Sequence, residues 1–533
     1  MTTENPQQTP PSSSLDCEAR DGEPSQEALE KEIAIGDGMS PQTSRPLAES
    51  FSLPHEILFV GIICTAQMTT QVGLGQALII LHDIGRSFNI TNPVELTWLI
   101  AGYSLTVGTF ILVSGRLGDM FGYKRMMIIG YAWFSVWSMI AGLAIYSNHV
   151  LFVFARVFQG IGPAILLPNG VALLGASYAN GSPRKDMVFA LFGACAPGGS
   201  IIGCAFAGLF ALTWWPWAFF SFAIALAALA VASYFVIPSP PPRPEFDKYS
   251  LRQKIGLLDL PGAAVGITAL VLFNFAWNQA PIVGWQKAYV YVTMIIGILL
   301  VPLFFYIELR VSKAPLVPFD ALTVDVGFVL SCIVCGWSSF GIWVLYLVNF
   351  LEILRGASPL LTVAYMSPVA VSGACASVVT GILLSKLRPA MVMTIALTWF
   401  TVGHILVATT PVHQTYWAQT FVCLVVIPWG MDMSFPAATI ILSNAVRKEH
   451  QGIAASLVTT IVNYSISLGL GFAGTVEVHV NRGGRTPHDI LLGYRGAWYL
   501  GIGFAGLGLC ISIVFLLKDY IRVNRKKNVG TPD

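Results

Sequence analysis

The chain has 533 residues, of which 55% are hydrophobic and 11% charged, with 30 Lys and Arg against 28 Asp and Glu. A soluble globular chain carries about 25% charged residues, and one of this length needs a charged surface to stay dispersed. The balance excludes a soluble enzyme, a disordered protein and a nucleic-acid binder, which needs a clustered basic excess, and it indicates a polytopic membrane protein.

Residues 1–52 are rich in Pro, Ser, Thr, Glu and Gln, and the first 50 hold 10 acids and 3 bases. They read as a disordered acidic tail. No signal peptide is expected, because no basic segment precedes an apolar run near Met1. From residue 54 apolar stretches recur, each near the roughly 20 residues needed to cross about 30 Å of hydrocarbon. Spans are predicted near 56–80, 96–115, 126–146, 149–174, 187–211, 215–237, 260–280 and 287–307. Six more follow near 326–350, 359–384, 390–409, 416–444, 452–476 and 496–517, giving fourteen.

An even number places both termini on one side. With the termini cytoplasmic, the inner connections and C-terminus hold 20 bases and the outer connections 6. That asymmetry obeys the positive-inside rule. The sequon Asn89-Ile90-Thr91 then falls in the first outer connection and is a glycosylation candidate. The run Pro238-Ser239-Pro240-Pro241-Pro242 reads as an extended inner linker after the sixth span.

Between spans 2 and 3, Gly115-Arg116-Leu117-Gly118-Asp119-Met120-Phe121-Gly122-Tyr123-Lys124-Arg125 sets glycines, an acid and three bases in a predicted tight turn. The glycines permit the reversal and a close helix approach, and the charges can pair across the turn and with helix ends. Arg156 falls inside span 4, where a charge costs roughly 2.5–3.5 kcal/mol on insertion scales. It either faces a paired or hydrated interior or snorkels to the outer surface. Span 5 carries Gly193, Pro197, Gly199 and Gly203, a proline break with small residues suited to close packing. Asp432 sits near the middle of span 12. An ionisable group at that depth is a functional candidate by default, the alternative being an acid satisfied by a neighbouring helix.

Gln67 and Gln71 in span 1, Gln159 in span 4 and Asn463 in span 13 are candidates to line a solute cavity. Asn463 and Asn349 could equally join helices. Glu352 and Glu477, near outer span ends, read as solvated, and His404 reads as a packing residue. Eight of the nine cysteines lie in apolar stretches and read as packing residues, the Cys332/Cys335 pair included. There is no metal cluster, catalytic triad or nucleotide-binding loop, so neither enzyme activity, a metal, a cofactor nor ATP drive is expected.

The Gly115–Arg125 segment resembles the G-x-L-x-D-x-x-G-[RY]-[RK]-[RK] loop of the major facilitator superfamily. A degenerate echo, Gly381-Ile382-Leu383-Leu384-Ser385-Lys386-Leu387-Arg388, stands at the matching place in the second half. Arg156-Val157-Phe158-Gln159-Gly160-Ile161-Gly162 resembles that superfamily's R-x-x-Q-G-x-G signature. The span 5 segment resembles its antiporter signature, with Ala196 where the pattern has Gly before Pro197. Asp259-Leu260-Pro261-Gly262 opens span 7, and the later Asn274-Phe275-Ala276-Trp277-Asn278 and Gly284-Trp285 are similar to fungal fourteen-span drug:proton antiporters. Gln67 through Gln76 and Gly430 through Glu477 are similar to the branch holding the yeast aminotriazole-resistance and boron-export transporter and a relative that carries ammonium.

The resemblance covers most of 54–518. It implies an all-α major facilitator fold of two six-helix bundles plus two extra helices. The implied division is a cytoplasmic tail at 1–52, a bundle at 53–238, a linker and extra pair at 239–310, a bundle at 311–518 and a basic cytoplasmic tail at 519–533. The resemblance also implies a gating role for the Gly115–Arg125 segment centred on Asp119, and it links Arg156 to proton coupling. From its depth in span 12, Asp432 is the group expected to take the proton, with Arg156 as its charge partner, so that protonation biases the inward and outward states. Span 1 has Gln67 and Gln71 but lacks the early Asp of many such exporters. The expected activity is proton-driven efflux of a small solute by a monomer in a fungal plasma membrane. A facilitator or importer of a nutrient such as ammonium, and a non-transporting sensor, remain open alternatives.

Overall fold

The computed structural model describes residues 51–178, 182–238, 258–312, 316, 323–445 and 451–528. Among them no strand occurs, and 14 helices are long and apolar enough to cross a membrane. Spans 1 to 7 are Leu53–Ile79, Pro93–Phe121, Tyr123–Tyr146, His149–Ser177, Pro183–Ala211, Trp217–Val236 and Leu260–Val283. Spans 8 to 14 are Ala288–Val311, Val324–Leu354, Pro359–Lys386, Pro389–Ala408, Gln419–Ala445, Ser456–Val480 and Pro487–Arg522. Each predicted span finds its helix. Most of the acidic tail, the Pro-rich linker from residue 239 to 257 and the last five residues lie outside the described residues.

The helix ends shift because hydropathy does not register caps. Span 5 starts where Ser182 accepts a hydrogen bond from the Lys185 N–H at 3.2 Å, with Pro183 next. Span 10 starts at Pro359, the predicted residue, where Ser358 accepts from the Leu361 N–H at 3.3 Å. A side-chain acceptor satisfies an orphaned amide, and Pro at the first helical position fits the helix without losing a bond. Span 2 continues helically through residues 116–121. Span 9 continues through a π-wound turn, Phe350–Leu354. The last helix runs from Pro487 to Asn528, so residues 519–528 of the basic C-terminal segment continue span 14 as helix.

Spans 1 to 6 pack on one another, span 1 on span 5 and span 3 on spans 4 and 6. Spans 9 to 14 form the second bundle, span 11 on spans 12 and 14 and span 9 on spans 13 and 14. Two seams join the bundles, span 2 against span 13 and span 5 against span 10. Span 7 packs on span 8 and also touches spans 2 and 13, so the extra pair is attached at a seam. Only 11% of the most apolar window of span 8 is buried, which leaves it facing lipid. Lipid tails are as apolar as Leu, so helix association here depends on close packing and interhelical hydrogen bonds.

Candidate functional site

The span 2–13 seam is built on small residues. A Cβ placed on Gly108 would meet the Tyr464 amide nitrogen at 2.8 Å and the Thr460 carbonyl oxygen at 3.0 Å. Further along, Ser467 Oγ donates to the Ala101 carbonyl at 2.8 Å, linking spans 13 and 2. The same hydroxyl lies 2.9 Å from Asn274 Oδ1 on span 7, and Asn278 Nδ2 donates to the Ser467 carbonyl at 3.2 Å. The Asn274-Phe275-Ala276-Trp277-Asn278 segment therefore ties span 7 to the seam. Its two asparagines are buried, as side chains of that polarity must be when no lipid can satisfy them.

The Gly115–Arg125 segment is not a loop. Helix runs to Phe121, and the next helix begins at Tyr123. Gly122 alone makes the turn, with φ +94°, and its N–H donates to the Gly118 carbonyl at 2.9 Å. That φ is open to Gly and strained for side-chain-bearing residues. Gly118 has a different reason, since any Cβ there would run into the Asn169 side chain of span 4. Asn169 Nδ2 in turn donates to the Ser114 carbonyl at 3.3 Å. Gly115 faces Pro168 of span 4 and Ser456 of span 13, across the seam. Asp119 accepts from the Tyr123 hydroxyl at 2.6 Å, and the Lys124 ammonium lies 5.5 Å from the Tyr234 ring of span 6. Arg116 is half-buried and Arg125 exposed. In the second half, Arg388 finds its acid elsewhere, 3.3 Å from Asp519 of span 14.

Arg156 is fully buried, so it does not snorkel. Gly160 divides span 4 into two helical pieces and lets it approach Tyr103 and Thr106 of span 2. Arg156 Nε donates to the Leu99 carbonyl at 3.0 Å and Nη1 donates to Gln159 Oε1. Gln159 Nε2 passes the chain on to Ser138 Oγ at 2.6 Å. The guanidinium also lies 4.6 Å from the Tyr103 ring centroid, a favourable cation–π distance. Its charge is thus carried by a carbonyl, an amide and a ring inside the first bundle. Gln159, also fully buried, belongs to this cluster and does not face a cavity here.

In span 5, Gly199 sits against the Met68 backbone, and a Cβ on Gly203 would meet the Val72 carbonyl oxygen at 2.6 Å. Gly193 faces open space, so the close face is Gly199 and Gly203 alone. Pro197 points the other way, into the span 5–10 seam. A Cβ on Gly373 of span 10 would meet Pro197 Cβ at 3.0 Å and Asp432 Oδ2 at 2.9 Å. Asp432 therefore approaches the seam beside the proline of the antiporter-like segment. Ser377 of span 10 is its hydrogen-bonding neighbour, and Oδ2 is buried without a partner. Arg156 and Asp432 form no ion pair in this conformation, and the polar contacts of each are made within different sets of helices.

Gln67 and Gln71 are half-buried one turn apart on span 1. Asn463 Nδ2 donates to the Thr459 carbonyl of its own helix at 3.0 Å. His404 is a buried packing residue whose two ring nitrogens each lie 2.9 Å from a carbonyl oxygen, of Phe400 and Ser339. Both glutamates depart from expectation. Glu477 accepts from the Tyr346 hydroxyl at 2.8 Å between spans 9 and 13. The Glu352 side chain is only 7% exposed, because the extended span 9 carries it inward. It lines a vestibule of about 660 Å³ at the face opposite the Gly115–Arg125 turn, together with His82, Asp83, Arg86, Asn89 and Thr91. His82 is a residue that sequence reasoning passed over. Its Nε2 is 3.0 Å from Asn349 Oδ1 and 3.9 Å from Glu352 Oε2, so it joins the two bundles at that face. Asn89 is exposed at the same face.

Residues 57–391 match the family model described as Major Facilitator Superfamily. The chain is 52% identical over 502 residues to a low affinity ammonium transporter of Saccharomyces cerevisiae, covering 94% of this chain and 95% of that one. It is 48% identical over 480 residues to an efflux pump of Aspergillus terreus, covering 90% and 91%. It is 37% identical over 485 residues to the aminotriazole resistance protein of Saccharomyces cerevisiae, covering 90% and 87%. A crystal structure of a peptide transporter in complex with sulfate superposes with a TM-score of 0.62 at 13% identity, over 86% of this chain and 94% of that one.

Proposed function

The chain belongs to the major facilitator superfamily, and we propose that this multi-pass transporter exports a small solute by alternating access, driven by a proton gradient. In this reading both termini are cytoplasmic and the protein resides in a fungal plasma membrane. The observation that carries the reading is Asp432, a mid-span acid whose Oδ2 lies without a hydrogen-bond partner beside Gly373 and Pro197 at the span 5–10 seam. A bare carboxylate in a seam between two bundles is costly, and a proton removes the cost. Loading Asp432 with a proton therefore favours the arrangement in which this seam is closed, and losing it favours separation. Two states of one seam, each favoured by one protonation state, are the minimum needed for coupling.

Arg156 serves as a fixed positive charge that stiffens the first bundle, rather than as the partner of Asp432 in this state. The Gly115–Arg125 turn links spans 2, 3, 4 and 13 at the cytoplasmic face and holds that face in register. Similarity to an efflux pump supports the export direction. A second reading, uptake of ammonium, is favoured by 52% identity to a low affinity ammonium transporter. The reactions differ in direction, so one preparation tests both. In everted plasma-membrane vesicles with an acid interior, export predicts solute uptake that a protonophore abolishes and that Asp432→Asn lacks. Solute movement indifferent to the gradient, with methylammonium as the transported species, would favour the second reading.

A further inference from the structure

The vestibule opposite the Gly115–Arg125 turn has walls from both bundles. One wall is the segment between spans 1 and 2, and the other is the end of span 9. Its charges do not cancel. Arg86 is ion-paired with Asp83. Glu352 is left over, 7% exposed, with Oε1 buried and without a hydrogen-bond partner. His82 is 3.9 Å from the other carboxylate oxygen, yet its Nε2–H is directed to Asn349 Oδ1 at 3.0 Å. Burial lowers the imidazole pKa, partly offset by the Asn349 bond, so His82 is uncharged at neutral pH. An enclosed carboxyl group without a counter-charge favours its protonated form until a cation is supplied to replace the proton.

We propose that this vestibule binds an organic monocation through a protonated primary amine, which donates to the Glu352 carboxylate in place of that group's own proton while its hydrocarbon part lies on Ile90, Leu96 and Ile353. An ammonium group supplies three N–H donors and one positive charge, which suits a lone carboxylate beside amide and hydroxyl groups. A metal ion suits it less, since no group of three His, Cys, Asp or Glu side chains that could hold one occurs among the described residues. The volume exceeds that of a bare ammonium ion and lies within the range of ligand pockets, so an apolar body is accommodated. Because the walls come from both bundles, a bound amine bridges them.

The site also has a built-in pH response. The groups facing it are Asp83, Arg86 and His82 from the first bundle and Glu352 and Asn349 from span 9, with Cys204 of span 5 near Glu352. A proton on His82 supplies a rival cation to Glu352, and a proton on Glu352 removes the charge. Both weaken amine binding, so affinity falls as pH falls. In the orientation proposed above the site is external. Binding itself does not depend on transport, so the two readings fail separately.

The test is calorimetric titration of the detergent-purified full chain with hexylamine and with hexan-1-ol, a neutral analogue of the same length. At pH 9.5, where the Glu352 proton is readily given up and a primary alkylamine is still mostly protonated, the amine is expected to bind roughly ten- to hundredfold more tightly, the worth of a charge-assisted hydrogen bond in a shielded site. The preference is expected to shrink at pH 7 and to vanish at either pH in Glu352→Gln, which keeps the side chain's shape. Equal affinity for amine and alcohol in the unmodified protein would overturn the proposal without recourse to any variant. So would an amine preference that survives in Glu352→Gln.

Discussion

The span 2–13 seam offers a perturbation whose size follows from geometry. In Gly108→Ala the new methyl group would stand 2.8 Å from the Tyr464 amide nitrogen and 3.0 Å from the Thr460 carbonyl oxygen. Ordinary contact begins at about 3.4 Å, so the helices must part by roughly 0.6 Å or the methyl must strain. Both obstacles are backbone atoms within a helix and cannot rotate aside. Overpacking of this kind costs about 1–3 kcal/mol, equivalent to roughly a five- to hundredfold shift between states that do and do not close this seam. The matched control is Gly61→Ala, since a Cβ at Gly61 meets nothing within 4 Å. Both variants carry the same gain in helix propensity. Purified protein would be compared by thermal unfolding and by initial transport rate in vesicles. Gly108→Ala is expected to lower the rate at least fivefold and to lower the unfolding midpoint, with Gly61→Ala near the unmodified protein in both. If the two variants behave alike, the seam does not close as tightly as the structure has it.

Two further substitutions probe the buried polar clusters. Arg156→Lys keeps the charge but cannot reach the Leu99 carbonyl and Gln159 together, so it leaves buried acceptors unpaired and is expected to destabilise by about 1–3 kcal/mol. An unchanged unfolding midpoint in detergent would show that the guanidinium geometry does not hold the first bundle. Tyr346→Phe removes the hydroxyl that donates to Glu477 and is expected to cost about 1–3 kcal/mol. Adding Glu477→Gln should recover part of the loss, and a double variant worse than the sum of the singles would contradict that pairing.

Much of the fold is legible in the chain because each span is a run of apolar residues long enough to cross the bilayer, a signal that needs no knowledge of neighbours. Span ends are less legible. Ser182-Pro183 marks the start of span 5 by capping chemistry, four residues before the apolar run that a hydropathy window registers. The Gly115–Arg125 segment was recognisable as a unit, but its three glycines act for separate reasons. Gly122 turns the chain, Gly118 makes room for Asn169, and Gly115 faces the second bundle. Only the first of these is local.

The glutamates show the same limit. Glu352 sits near a span end by sequence, and whether it meets water depends on how far span 9 continues and on what His82 and Asn349 do beside it. Arg156 and Asp432 stand out because charges inside spans are rare. Which groups they meet is a property of helix packing, and spacing along the chain carries no record of it. Tyr103 beneath Arg156 and Gly373 beside Asp432 could not be paired with them from sequence.

The central claim is that a proton on Asp432 couples the two bundles to the gradient. Its most direct test compares two fluxes in the same vesicles, solute exchange at equal pH and accumulation against a pH gradient, for the unmodified protein and Asp432→Asn. Asparagine keeps the shape and holds the seam permanently neutral. Exchange is expected to persist while gradient-driven accumulation falls to the level of protein-free vesicles. Accumulation retained in Asp432→Asn at the unmodified ratio to exchange would contradict the account.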